Sequence, residues 1–360
     1  MSKLVQLILQ DGSTYNGISF GYEESVSGEL VFNTSMTGYP ESLTDPSYKG
    51  QILLATYPLI GNYGVPKDSS SNGFSDCFES NDIQVSALII NHYSDNYSHW
   101  NANESLSSWL KRNKIPAISG VDTRAITKKL REEGSMLAKI VFKSKDTPFY
   151  NPNKDHLVKK VSCKTVSKYG NGKHKIVLVD CGLKLNILRC LLKRDTTIIR
   201  VPYDYDFTKE DYDGLFISNG PGDPALNTET INNLKKAINI GKPIFGICLG
   251  NQLLALAAGA STYKLKYGHR SHNQPVIKVG TKHCYITSQN HGFAIDHSQL
   301  PYNWEPLFVN ANDNSCEGIR HTSGKFFAAQ FHPEASSGPT DTEFLFDDFI
   351  SIIEDFKSNA

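Results

Sequence analysis

From Lys175 onward, short apolar segments alternate with helical patterns, and this alternation restricts the fold more than any other feature of the sequence. Lys175–Val179, Thr197–Val201, Gly214–Ile217 and Pro243–Ile247 read as strands. Lys184–Lys193, Glu229–Ile240 and Asn251–Ala258 read as helices; Ile231, Leu234 and Ile238 share one face, and Gly259 ends the last helix. Strands separated by helices return parallel, by right-handed crossovers, because a parallel return must recross the sheet. The expectation is an α/β region with a mostly parallel sheet covered by helices on both faces. In such sheets ligands collect beyond the carboxyl ends of the strands.

The N-terminal part has another character. Leu4–Gln10, with Val5, Leu7 and Leu9 at period two, is followed by the turn Asp11-Gly12 and by Ser13–Phe20, which predicts a hairpin. Glu29–Asn33, Gln51–Thr56 and Val85–Ile90 read as further strands. Glu104–Arg112 reads as a helix, as does Thr123–Glu133, capped by Asp122 and closed by Gly134. Lys67–Asp76 reads as a surface loop. At 360 residues the chain is long for one core. The composition turns to Lys, Ser, Asn and Gly between Asn151 and Lys173. The expected organisation is a mixed, strand-rich α/β domain over 1–150, a linker over 151–174 and the alternating domain over 175–360.

Lys and Arg balance Asp and Glu at 37 each, so no charge excess points to nucleic acid or an anionic membrane. The start, MSKLVQLILQDGS, lacks the pattern of a leader, and no apolar run approaches the length of a bilayer span. Seven cysteines without a CxxC pair suit a reducing compartment, and the cytoplasm is the expected location. The histidines show no metal-ligand spacing, so no metal is expected.

Three segments carry chemistry. In Pro243-Ile-Phe-Gly-Ile-Cys-Leu-Gly-Asn-Gln a buried strand runs into Gly246-Ile-Cys248-Leu-Gly250 and then directly into a helix. That is the layout of a nucleophile elbow, in which a tight turn holds the central side chain in a strained, exposed pose and the flanking glycines spare the backbone clashes. A helix N-terminus favours the thiolate of Cys248, and the N–H of Leu249 is placed to serve an oxyanion hole. The bland reading is a core thiol, but two glycines at the elbow positions argue against it. Phe326–Phe331 is a second apolar strand, ending in His332-Pro-Glu334: a base, with a carboxylate to hold its tautomer. Ile217-Ser-Asn-Gly220-Pro-Gly222-Asp-Pro224 follows a third strand. It is either a plain turn or a loop whose backbone N–H groups close on a substrate.

GICLGNQ, SNGPGDP and QFHPE together resemble the triad-type (class I) glutamine amidotransferases. The chain as a whole resembles the small, glutamine-hydrolysing subunit of carbamoyl phosphate synthetase, through VFNTSMTGYPESLTDPSY (31–48), SGVDTRAITKKLREEG (119–134), TSQNHGFAID (287–296) and FHPEASSGP (331–339). YSHW (97–100), VPYDYDF (201–207) and KLKYGHRSHN (264–273) look like eukaryotic members, with a leaning to a fungal arginine-pathway subunit.

The resemblance implies roles. Cys248 attacks the glutamine amide, His332 moves the proton and Glu334 orients it. Leu249 and Gly220 supply oxyanion N–H groups, and Gly222 lines the same pocket. Gln252, Asn290, Gly292 and Phe293 hold the ends of glutamine, and Ser47 reaches it from the first domain. His269 and His291 receive no chemistry. The family usually has His where this chain has Asn251, a change expected to alter the helix surface or a partner contact. The urea-cycle type has lost the nucleophile, which Cys248 supplies here. The resemblance further implies a large synthetase partner that uses bicarbonate and two ATP with Mg and takes ammonia through a channel. This chain, having no phosphate-binding loop, would need no cofactor of its own. Because it starts at Met1 and stops just past the amidase, a separate subunit is expected, the alternative being the glutaminase portion of a fused pyrimidine enzyme. A cysteine peptidase would have no use for SNGPGDP and QNHGF together.

Overall fold

The computed structural model describes residues 4–71, 73–142 and 145–359. The first three residues of the start and residue 72 of the expected surface loop therefore lie outside the described residues. The chain forms two compact units, Met1–Asp155 and His156–Ala360.

In the first unit, seven strands close into a barrel: β1 (Leu4–Leu9), β2 (Thr14–Ser19), β3 (Val26–Asn33), β4 (Gln51–Ala55), β5 (Ala87–Ile89), β6 (Ala117–Ser119) and β7 (Met136–Val141), in the order β1-β7-β3-β4-β5-β6-β2. Asp11 takes the N–H of Ser13 at 2.9 Å, and Gly12 at φ 89° completes the turn, so β1 and β2 pair antiparallel as the sequence predicts. The alternation of β1 puts Val5, Leu7 and Leu9 out of solvent, packed with Ile126 and Leu130 of the helix α2 (Thr123–Glu133). Asp122 caps that helix by accepting the Ala125 N–H at 2.9 Å. The helix α1 (Leu106–Arg112) buries Leu106, Trp109 and Leu110. Closure leaves the barrel no open edge. The stretch Lys67–Asp76 is more ordered than a loop: Ser70–Ser71 pairs with Phe74–Ser75, and Phe74 is buried.

The second unit holds a ten-stranded sheet. Its strands are β8 (Ser167–Tyr169), β9 (His174–Asp180), β10 (Thr196–Pro202), β11 (Gly214–Ile217), β12 (Ile244–Ile247), β13 (Ser261–Lys278), β14 (Cys284–Asp296), β15 (Trp304–Asn310), β16 (Cys316–His321) and β17 (Phe326–Ala329). The order is β8-β10-β9-β11-β12-β17-β16-β14-β13-β15. The run β10-β9-β11-β12-β17 is parallel, and the remaining pairs are antiparallel. Alternate residues of the parallel strands serve opposite faces. Leu215, Ile217 and Ile244 pack with Leu234 and Ala237 of α4 (Thr228–Ile240) and Leu253 of α5 (Leu249–Ala258). Phe216, Phe245 and Phe327 meet Phe346 and Phe349 of α6 (Phe344–Ser358), with Phe245 stacked on Phe327 at 4.4 Å. Burying each such ring contributes about 1.5–3 kcal/mol.

Residues 156–174 are part of this unit rather than a free connection. Leu157 and Val158 are buried, the Ser162 hydroxyl accepts the Tyr203 N–H at 3.1 Å, and β8 pairs antiparallel with β10. A few well-placed buried side chains anchor a stretch whose average composition is polar. The helix α3 (Leu185–Leu192) follows β9. No helix among the described residues is long and apolar enough to cross a membrane.

Candidate active site

Strand β12 ends at Ile247 and α5 begins at Leu249, leaving Cys248 as the single residue of the turn. Its backbone sits at φ 55°, ψ −101°, a conformation that costs an L-residue about 1–3 kcal/mol and persists only where the surroundings enforce it. They do so through close backbone approach. A Cβ on Gly250 would stand 2.3 Å from the Ile217 carbonyl oxygen, and one on Gly246 would stand 2.7 Å from the Gly250 carbonyl. Both glycines are therefore needed for space, while the cysteine itself takes the strained angles. The elbow reading implies an exposed side chain, but Cys248 is buried, only 2% accessible. The long hairpin β13–β14 covers it, with the Asn290 carbonyl 3.8 Å from Sγ.

Strand β17, adjacent to β12 and parallel to it, delivers His332 to the same end of the sheet. His332 Nδ1–H donates to Glu334 Oε1 at 2.6 Å, and the His332 N–H donates to the Ser288 carbonyl at 2.9 Å. The first bond fixes the tautomer and leaves Nε2 as the second, buried ring nitrogen. Burial opposes the charge on His332, yet Glu334 outweighs it and, with a smaller contribution from Cys248, holds the imidazole above its ordinary value. Burial likewise opposes ionisation of Glu334, but Lys184 and His332 hold its carboxyl well below the usual carboxylate range. The buried Glu334 carboxylate thus favours the charged form of the His332 imidazole.

Sequence reasoning missed Lys184. It is almost fully buried, with Nζ 3.0 Å from Glu334 Oε1 and 2.7 Å from the Ala335 carbonyl. The sequence offered only a weak signal, a lysine directly before the mostly apolar helix Leu185–Leu192. The loop carrying it is pinned by Asp180, which accepts the N–H groups of Gly182 and Leu183 and pairs with Arg200.

The remaining candidates divide by position. Gly220, whose Cβ would stand 2.0 Å from the Cys181 carbonyl, follows β11 beside Leu249. Gly222 adopts φ 86° next to Leu157. Asn290, Gly292 and Phe293 lie half-buried on β14. Gln252 donates Nε2–H to the Phe293 carbonyl at 2.8 Å and to Gln330 Oε1 at 3.1 Å, so it ties α5 to β14. Asn251 does not shape a surface: it is fully buried and donates to Gln330 Oε1 at 3.1 Å. The helix face that carries it packs inward against the residues after β17. Ser47 belongs to the first unit, in the Pro46–Tyr48 turn, buried, its N–H donated to Asp45 Oδ1 at 2.9 Å.

Residues 7–140 match the family described as carbamoyl-phosphate synthase small chain, CPSase domain, and residues 177–352 match glutamine amidotransferase class-I. The chain is similar to the multifunctional protein CAD of Squalus acanthias, 54% identical over 98% of this chain and 16% of that one. It is 50% identical to the multifunctional protein URA2 of Saccharomyces cerevisiae, over 99% of this chain and 18% of that one. To the mitochondrial carbamoyl-phosphate synthase (ammonia) of Homo sapiens it is 49% identical, over 100% of this chain and 24% of that one. The chain spans less than a quarter of the length of each of these relatives. Two matched regions in one order, and about half identity over nearly the whole chain, make it a member of the carbamoyl-phosphate synthase small-chain family, with a class-I glutamine amidotransferase domain as its second unit.

Proposed function

We propose that the chain hydrolyses glutamine to glutamate and ammonia and supplies the ammonia to a synthetase region that makes carbamoyl phosphate from bicarbonate and two ATP. The observation that carries this reading is the buried set Cys248, His332 and Glu334 at one end of adjacent parallel strands, with the cysteine in strained backbone geometry. The thiolate adds to the amide carbon; the C–S bond forms and the carbonyl electron pair moves to oxygen, where the Leu249 and Gly220 N–H groups would stabilise it. His332 gives its Nε2 proton to the amide nitrogen, the C–N bond breaks and ammonia leaves a glutamyl thioester. His332 then takes a proton from water, whose hydroxide releases glutamate and restores the thiolate. The Asn290 carbonyl borders the thiol, and the half-buried Asn290, Gly292 and Phe293 of β14 are the proposed contacts for the substrate's ends. ATP and Mg belong to the synthetase region.

The relatives carry the corresponding region within much longer multifunctional chains, which favours a synthetase region joined in the same polypeptide and a pyrimidine pathway over the separate arginine-pathway subunit. Cys248→Ala tests the proposal. With a synthetase region present, glutamine-dependent carbamoyl phosphate formation should fall at least 100-fold while ammonia-dependent formation persists. Glutamine use within tenfold of the unaltered chain would overturn the nucleophile assignment.

A further inference from the structure

Outside the triad, the second unit gathers a set of electron-rich atoms that the reaction does not use. His269 of β13 and His291 of β14 are register partners, their rings edge-on at 4.9 Å, and Glu317 of β16 lies against both. His269 Nδ1 is 3.3 Å and His291 Nε2 is 3.9 Å from Glu317 Oε1, and the three ligand atoms lie within 4.8 Å of one another.

The outer partners fix which atoms face inward. His269 Nε2–H donates to Asp313 Oδ2 at 2.9 Å, which turns Nδ1 to the centre. His291 Nδ1 faces the Phe293 carbonyl at 2.8 Å; a carbonyl only accepts, so the proton is on Nδ1 and Nε2 presents a lone pair. Gln289 Oε1 stands 3.1 Å from that same Nε2, oriented by its own Nε2–H donated to the Thr287 hydroxyl at 3.2 Å. Glu317 is fully buried, and its Oε2 has no hydrogen-bond partner among the described residues; Oε1 takes one from Asn310 at 3.1 Å and a longer one from the Ser315 hydroxyl at 3.5 Å. A carboxylate, an amide oxygen and two imidazole nitrogens thus converge in one buried space, where a cation would pair with the carboxylate.

We propose that His269, His291 and Glu317, with Gln289 as a fourth donor, bind one divalent transition-metal ion of the zinc class. Mixed imidazole and oxygen ligands suit zinc rather than magnesium or calcium, which take oxygen alone. Zinc bonds of about 2.0–2.2 Å span a group of this size once the rings draw in by a few tenths of an ångström. The Asp313–His269 contact is the carboxylate–histidine support that metal-bound imidazoles usually have. Such an ion fastens β13, β14 and β16 together directly behind Asn290–Phe293, the strand segment that covers Cys248. The competing occupant is a proton on His269: burial opposes it, but Asp313 and Glu317 push that imidazole up to about 9.

The experiment uses the full chain carrying Cys248→Ser, so that the nucleophile holds no metal. The protein is stripped with chelator and dialysed against zinc or cobalt(II), and bound metal is measured per chain together with the cobalt absorption spectrum. One ion per chain, with a tetrahedral cobalt spectrum free of thiolate charge transfer, is expected. His269→Ala and Glu317→Gln should lose it, and Asp313→Asn should weaken it about 10–100-fold. Asp313 is 44% exposed, so that variant tests the site even if the buried substitutions fail to fold. Metal well below one per chain, retention in the buried variants, or an unchanged affinity in Asp313→Asn would overturn the proposal and leave the cluster to a proton.

Discussion

Lys184 and Glu334 form an ion pair, Nζ to Oε1 at 3.0 Å, with neither side chain more than 5% exposed. The same carboxylate oxygen accepts the His332 Nδ1–H, so one buried oxygen serves both the lysine and the base. The charge that orients His332 is held in place by a residue of another strand-to-helix loop.

Removing the lysine should therefore disturb both stability and catalysis. Lys184→Met leaves Glu334 with one cation partner fewer, and breaking a buried pair from one side costs about 3–5 kcal/mol. Urea unfolding measures the loss, and glutamate release measures the effect on the triad. A loss below about 1 kcal/mol would show that the pair does not hold the carboxylate.

The pH dependence has a definite sign on each side. Glu334, ordinarily near 4.5, is depressed to about 2 against the effect of burial by Lys184 and His332. Its contribution is present above about 4.5 and is lost as pH falls toward about 2. His332, ordinarily 6.5, is raised to about 10 by Glu334 against burial, so its contribution is full below 6.5 and is lost as pH climbs through the raised value. The stability difference between the native chain and Glu334→Gln should thus be widest between about pH 4.5 and 6.5 and shrink on either side. Unfolding curves across this range check it; a flat difference contradicts the ion-pair description.

Gly220→Ala should lower both the rate and the stability of the folded chain. Its Cβ would stand 2.0 Å from the Cys181 carbonyl and 2.8 Å from Leu249 Cδ2, so the loop must shift away from the elbow. A displacement of about 1 Å in an oxyanion donor costs on the order of 100-fold in rate. Glutamate release down by that factor, with far-UV circular dichroism unchanged, is the expected result. Wild-type turnover would remove Gly220 from the oxyanion role.

An amidase that supplies ammonia to another active site wastes glutamine when it fires alone. Adding a synthetase region should raise glutamate release at least tenfold, with a further rise on adding ATP and bicarbonate, by selecting the aligned arrangement of elbow and Gly220 loop. Equal turnover with and without the synthetase region would count against this coupling.

The legible parts of the molecule were those where local pattern and tertiary role coincide. Period-two burial in Val5–Leu9, the Asp122 cap and the alternation after Lys175 each follow from contacts within a few residues of one another. The hairpin β13–β14 is not legible in the sequence because its register shifts between Lys264 and His269 and between Ser271 and Gln274 break the alternation that marks a strand. Composition makes 151–174 read as a linker because it averages over the few residues, such as Leu157 and Val158, that anchor the stretch.

By itself the sequence determined the parallel sheet, the elbow at Cys248 and the His332-Pro-Glu334 strand end, because each is written in neighbouring residues. Only the tertiary structure decided that Lys184 neutralises Glu334, that Asn251 is buried against Gln330, and that His269, His291 and Glu317 converge. These groups are 150, 79 and up to 48 residues apart along the chain, and no local periodicity encodes a meeting over such distances. It is the packing of one strand beside another that makes them neighbours and sets their charge.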